Sequence, residues 1–230
     1  MKKPVFHTEL AFFIGLALLA LGTSLTAYGN IGISMVVAPA YVLHLYVSQF
    51  LPWFSFGVAE YVFQAAVLLV LTLVLRKAKW GYLLSFCVTL LYGFALDGFM
   101  RLTAMLPQNF YGQIIAYVVG AVICCNALSL LFCSYFPPEA YELFSKEIAA
   151  KLHKPVHKVV NVYNLCSLLL AVIFSLALFH NIQGIGIGTV ICAFVYGFII
   201  NFFQTLYGKL FRFEDKFPWR KYFEDNVKTQ

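Results

Sequence analysis

The chain has 230 residues, of which 62% are hydrophobic and only 11% charged, and its mean hydropathy is +0.83. Soluble globular domains carry about 25% charged residues, and a chain this short has no core large enough to enclose such an apolar share, with 24 Phe and 14 Tyr in it. A water-soluble globule is excluded in favour of an integral membrane protein, so the formal charge of +6 is read as a topology signal and no nucleic-acid partner is expected.

A helix that crosses a hydrocarbon core of about 30 Å needs about 20 largely apolar residues. Six stretches qualify: 10–28, 58–75, 81–100, 113–134, 159–179 and 185–206. Lys2 and Lys3 precede the first, as in a signal peptide, but the run is long and has no convincing small-x-small cleavage site, so it reads as a retained helix. Residues 31–52 are apolar but interrupted by Pro39, His44 and Pro52. They are expected to form a re-entrant or interfacial helix on the outer side.

Residues 137–154 begin with proline, carry Glu139 and Glu142 early and Lys151 late, and set Tyr141, Leu143, Phe144 and Ile148 among charges. That pattern predicts an amphipathic helix at the cytoplasmic surface. From Phe211 to Phe223 the aromatic residues alternate with Arg212, Lys216, Arg220 and Lys221 around Trp219, which suits an interfacial anchor on anionic lipid. The chain thus divides into one membrane domain over 1–206 and a cytoplasmic amphipathic tail over 207–230.

Charge fixes the expected direction. With a cytoplasmic N-terminus, fifteen of the sixteen basic residues fall on the cytoplasmic side and only Arg101 on the other. This is the positive-inside pattern, and with six spans it places both termini in the cytoplasm.

The chain also repeats itself. Tyr92-Gly93-Phe94-Ala95-Leu96-Asp97-Gly98-Phe99 closes the third span and Tyr196-Gly197-Phe198-Ile199-Ile200-Asn201-Phe202-Phe203 closes the sixth, both fitting YGFxx[D/N]xF. The approaches to the second and fifth spans align as well, with Glu60 opposite Asn161. Each half (about 10–101 and 113–206) holds three crossings and one extra re-entrant or interfacial helix. Three is odd, so the halves must be inserted in opposite directions. The expected fold class is an all-α integral membrane protein of six transmembrane helices arranged as two inverted-topology repeats.

Ionisable side chains within a span cost about 2.5–3.5 kcal/mol on insertion scales and become functional candidates for that reason. Asp97 is one, with Arg101 one turn later on the same helix face, where the two can pair or simply fix the helix end. Glu60 and Gln64 share a face of the second span, and with His44 and Gln49 they would line a polar opening. A plainer reading makes Glu60 a helix-start carboxylate partly in water, and His44 a packed or interfacial histidine rather than a proton-linked one. Asn161, Asn164 and Asn201 suit either a path between the halves or hydrogen bonding between helices.

The loop Gly184-Ile185-Gly186-Ile187-Gly188-Thr189 leads into the last span. Its backbone is a candidate anion binder through Gly184, Gly186, Gly188 and Thr189, or a close packing contact for the helix end. Gly29-Asn30-Ile31-Gly32 occupies a similar place in the first half. The cysteines Cys87, Cys124, Cys125, Cys133, Cys166 and Cys192 lie in apolar runs without metal or disulfide spacing, so no metal and no cofactor are expected. HExxH, GxSxG and GxGD are absent, and the reading is not an enzyme.

With the six-span inverted repeat, the GIGIGT string and the opening FFIGLALLALGTSLTAYGNIG, the chain resembles the YczE/YyaS/YitT group of bacterial multipass membrane proteins over most of 10–206. That resemblance implies a fold and a bacterial plasma membrane and assigns no substrate. The functional expectation is a small transporter or permease for an unidentified small solute, with proton coupling through Glu60 or Asp97. The path would be lined by Glu60, Gln64, Asp97, Arg101, Asn161, Asn201 and His44. The alternatives are a non-transporting accessory or assembly subunit and the substrate-binding subunit of a larger importer. Expected partners are the lipid bilayer, the solute, and a second copy or another membrane protein.

Overall fold

The computed structural model describes residues 4–77, 80–136, 139–154 and 156–217. Six helices are long and apolar enough to cross a membrane: α1 (Thr8–Gly29), α3 (Phe56–Leu75), α4 (Trp80–Thr103), α5 (Phe110–Phe132), α7 (Val156–Phe179) and α8 (Ile187–Leu210). Two shorter helices, α2 (Ala38–Val47) and α6 (Ala140–Leu152), follow α1 and α5 respectively. The order is therefore long, short, long, long, twice over, and each predicted span falls within a few residues of a long helix. Asn109 caps α5 by accepting a hydrogen bond from Gly112 N–H at 2.7 Å, and Ser55 caps α3 by accepting one from Val58 N–H at 3.2 Å.

α1 and α5 form the most extensive helix pair in the bundle, and their backbones approach closely. Gly15, Gly22 and Gly29 recur every seven residues along one face of α1. A Cβ added to Gly22 would lie 2.6 Å from Cys124 Sγ and 2.8 Å from the Gly120 carbonyl, and one added to Gly29 would lie 2.6 Å from Tyr117 Cβ. Gly15 faces Leu131 in the same way. The partner residues descend, 131 to 124 to 117, as the α1 glycines ascend, so the two helices run antiparallel. Lipid gives helices no hydrophobic reason to associate, and small residues that admit close van der Waals contact supply the attraction. At the far end of this pair, Tyr28 OH donates to the Pro107 carbonyl at 2.6 Å.

Both ends of the membrane domain meet. β1 (Val5–His7) pairs in parallel with β2 (Arg212–Glu214), with Val5 opposite Arg212 and the Phe6 and Phe211 rings 5.4 Å apart. Glu9, buried at the start of α1, accepts hydrogen bonds from the backbone N–H groups of Lys216 and Phe217 and from Tyr135 OH. Thr8 OH donates to Asp215 at 2.8 Å. An even number of crossings is what allows this clasp. The first part of the tail is thus folded onto the bundle as a strand, while Trp219, Arg220, Lys221 and Phe223 lie outside the described residues.

The short helices exchange partners. α2 packs against α3 and α7, and α6 packs against α7 and α3. α2 buries Ala38 to Val42, and its Tyr46 ring lies 5.5 Å from Phe179 at the end of α7.

The position of α6 adds a protein partner to the expected amphipathic helix. Its first backbone N–H, from Ala140, donates to Gln64 Oε1 at 3.2 Å, and Lys151 Nζ in its last turn donates to the Val74 carbonyl at 2.7 Å. Gln64 stands near the middle of α3 and Val74 near its end, so α6 lies alongside half of α3 with its N-terminus at the depth of Gln64. The apolar face, Ala140, Tyr141, Leu143 and Ala149, is buried against the bundle. Amphipathicity was correctly read. Its buried face meets protein, and polar side chains of α3 satisfy the helix start.

The α1–α5 crossing makes a direct prediction. Gly22→Val is expected to cost about 1–3 kcal/mol or more through overpacking and to lower the apparent melting temperature and folded yield in detergent. Gly197→Ala, where nothing lies within 4 Å, is expected to leave both unchanged.

Candidate functional site

Glu60 and Gln64 are one turn apart on α3, and both are completely enclosed. The amide Nε2 of Gln64 donates to Glu60 Oε2 at 3.1 Å, and Tyr141 OH, from the first turn of α6, donates to the same oxygen at 2.7 Å. The other end of Gln64 is equally occupied: its Oε1 accepts from Thr89 OH of α4 at 2.6 Å and from Ala140 N–H. One glutamine thereby ties together α3, α4 and α6.

Two buried carboxyl oxygens beside this network, Glu60 Oε1 and Glu139 Oε1, have no hydrogen-bond partner, although the Glu139 side chain also bonds to Gln64, and the Tyr163 hydroxyl, enclosed beside them, interacts with Ser167. Glu139 immediately precedes α6 and lies close enough to Glu60 for the two charges to repel. Tyr163, on α7, also feels the Glu60 charge, and its ring lies 6.1 Å from that of Tyr141. Phe63 completes an aromatic flank, 6.2 Å from Tyr141. Every group bonded to Glu60 is a neutral donor, and no Lys, Arg or His among the described residues forms an ion pair with it. A carboxyl enclosed this way without a counter-charge is costly. The positive end of the α6 dipole offsets only part of that cost.

The remaining sequence candidates are distributed differently. Asp97 does not pair with Arg101. Its carboxylate accepts hydrogen bonds from Ser55 OH and, at 2.7 Å, from Gly57 N–H, so it closes the N-terminus of α3 across from α4. Arg101 is exposed. The unfilled backbone N–H groups of a helix start are the stronger partner for a carboxylate. Asn161 and Asn201 are both exposed on the bundle exterior and are not brought to Glu60. Gln49 is exposed and donates to its own helix at Leu45.

His44 lies at the opposite end of the bundle from the termini, stacked on Phe56 at 5.9 Å, with Nδ1–H donating to the Phe54 carbonyl at 2.9 Å. Burial lowers its pKa, outweighing the Phe54 hydrogen bond and the Asp97 charge. A buried imidazole that latches the α2–α3 connection accounts for it.

The glycine loop is a packing joint between the two halves. Gly188 N–H donates to the Ile31 carbonyl at 3.0 Å, and Thr189 Oγ1 accepts from Ile33 N–H at 3.1 Å and from Gly186 N–H at 3.4 Å. Gly32 takes a positive φ of 132° and a Cβ there would lie 2.6 Å from Thr189 Oγ1. The N–H groups of Gly186, Gly188 and Thr189 are thus in use. Gly184 helps line a cavity of about 30 Å³ with Thr26, Asn30 and Tyr41, which has room for ordered water and not for a metabolite.

Four partners of the Glu60 network were not singled out from sequence as site residues: Thr89, Glu139, Tyr141 and Tyr163. Glu139 and Tyr141 carried a usable signal, being an acid and an aromatic that precede and open a short helix bounded by prolines. Thr89 and Tyr163 carried none. All six cysteines are free, with Cys124, Cys125 and Cys192 buried.

Six apolar crossings around an enclosed polar cluster define a multipass α-helical membrane protein. The chain belongs to the DUF6198 family of unknown function, whose model matches residues 6–205. No curated protein and no solved structure matches it.

Two outcomes are expected from this geometry. Tyr141→Phe removes a donor from a buried carboxyl and should cost about 1–3 kcal/mol, read as a lower melting temperature. For His44, a folded pKa below the ordinary 6.5 means stability that is present above pH 6.5 and lost as pH falls through the lowered value. His44→Asn, which keeps a donor for Phe54, should flatten that acid-side loss in a pH series of melting curves.

Proposed function

We propose that the protein is a small transporter or permease that carries a small solute across the membrane, with Glu60 as the residue that couples movement to ion or proton binding. The observation that carries this reading is the start of α6 beside Glu60 and Gln64, near the middle of α3, with a buried carboxylate oxygen left unbonded. Short helices that end inside the membrane and present their N-termini to a polar site recur in secondary transporters. Buried carboxyls in spans mark ion and substrate pathways.

The inverted-repeat reading supports the proposal. Antiparallel α1 and α5 are the first helices of the two halves, and the pairings α2 with α3 and α7, and α6 with α7 and α3, are what a two-fold relation between halves produces. α2 and α6 are then the re-entrant elements of the two repeats. The end of the bundle that holds the clasped termini also holds Arg76 and the C-terminal turn of α6 with Lys151. The cytoplasmic side of a bacterial plasma membrane suits that basic end, in keeping with the resemblance to the YczE/YyaS/YitT group.

A thermal-shift screen of the purified protein against metabolites, followed by uptake into proteoliposomes, tests the reading. A saturable hit whose uptake is lost in Glu60→Gln, with the variant still folded, is the expected result. A stably co-purifying membrane protein with no hit and no uptake would replace the transporter with an accessory subunit.

A further inference from the structure

We infer that Glu60 and Glu139, with the Tyr163 hydroxyl, form a binding site for one alkali cation stripped of most of its water. The inference deepens the transport reading and rests on it only for the ion's role in coupling; binding itself stands apart. The two unbonded buried carboxyl atoms of this neighbourhood are oxygens, Glu60 Oε1 and Glu139 Oε1, and the hydroxyl oxygen of Tyr163 stands beside them. Oxygen sets of this kind select hard cations, not soft metals.

Among the described residues, no positive side chain is bonded to Glu60 or Glu139. Gln64 and Tyr141 direct N–H and O–H groups at Glu60 Oε2, and this leaves Oε1 as the side open to a ligand. The titratable groups among the described residues that interact with Glu60 or Glu139 are Glu142 and Tyr141 of α6, Tyr92 of α4 and Tyr163 of α7, none of which supplies a cation. Lys146 acts on Glu142. The α6 N-terminus contributes about half a positive charge, against two carboxylates. One bound monovalent cation brings the site near neutrality.

Size argues for a small bare ion. Glu60 and Gln64 are 0% exposed, so there is no surface on which a hydrated ion or an organic cation would rest. Magnesium keeps several waters, which the enclosure excludes. The loop between α5 and α6 brings Glu139 to Glu60, so a cation bound between them would hold α6 against α3. Its departure would leave two carboxylates in repulsion and favour release of α6.

The test uses the full-length protein in detergent at pH 8, with sodium chloride exchanged for choline chloride at constant ionic strength. Melting temperature and binding of radioactive sodium are the two readouts. The expected result is a saturable, sodium-dependent rise over choline, with apparent affinity at least tenfold weaker in Glu60→Gln and in Glu139→Gln. Glu214→Gln, at an exposed ion pair with Arg212, should behave as wild type. Equal responses to sodium, potassium, lithium and choline, a response to divalent ions only, or one to pH only, would overturn the inference. So would a sodium response kept by both variants. Sodium binding without solute uptake would leave the ion site standing and remove the transport reading. Uptake indifferent to sodium, with no sodium binding, would do the reverse.

Discussion

The antiparallel contact of α1 with α5 is the constraint on which the rest of the molecule depends. Glycines seven residues apart let the two backbones approach to where a single Cβ would collide. Because these are the leading helices of the two halves, the crossing sets the direction of everything that follows each of them. α2 then meets α3 at one end of the bundle, where Tyr41 packs 5.0 Å from Phe56. The C-terminal turn of α6 meets the end of α3 at the other, where Lys151 reaches Val74. The clasp of β1 with β2 closes the structure at this second end, and Glu9 spends its carboxylate on holding it.

A bilayer core offers no water to unpaired polar groups, so each must find a partner inside the protein. This bundle meets that demand by sharing. Gln64 serves three helices, Asp97 caps a neighbouring helix, and Thr189 receives the backbone of the opposite half. Against that background the unbonded oxygens of Glu60 and Glu139 stand out. Two carboxyls brought together in an apolar setting with a free lone-pair face on each are poor stabilisers of a resting fold. They are well placed to answer to an ion or proton.

Much of the frame was legible in the sequence because hydropathy over 20 residues is a strong signal: all six long helices, both short ones and the repeated order of elements were readable. Glu60 and Gln64 were recognisable as a pair on one helix face. What the sequence could not show was where polar residues from separate elements meet. Asp97 and Arg101 have ideal spacing to pair, yet a helix start across the interface competes successfully for the carboxylate. Asn161 and Asn201 stand where the first half has Glu60 and Asp97, yet both face outward, since a repeated pattern does not require each half to keep the same buried side. Glu9 lay one residue outside the expected first span. The seven-residue glycine spacing of α1 was present in the sequence and is, in retrospect, the clearest marker of the helix contact on which the fold turns.

Halves that enter the membrane in opposite directions around that contact leave the ends of their short helices on opposite sides of the membrane. The most direct measurement is accessibility to a membrane-impermeant maleimide in intact and permeabilised cells, with the six native cysteines replaced and one new cysteine at a time. Trp53→Cys, in the connection after α2, and Lys154→Cys, just after α6, report the two short-helix ends. The account predicts that Trp53→Cys is labelled in intact cells and Lys154→Cys only after permeabilisation. Labelling of both from the same side would contradict it.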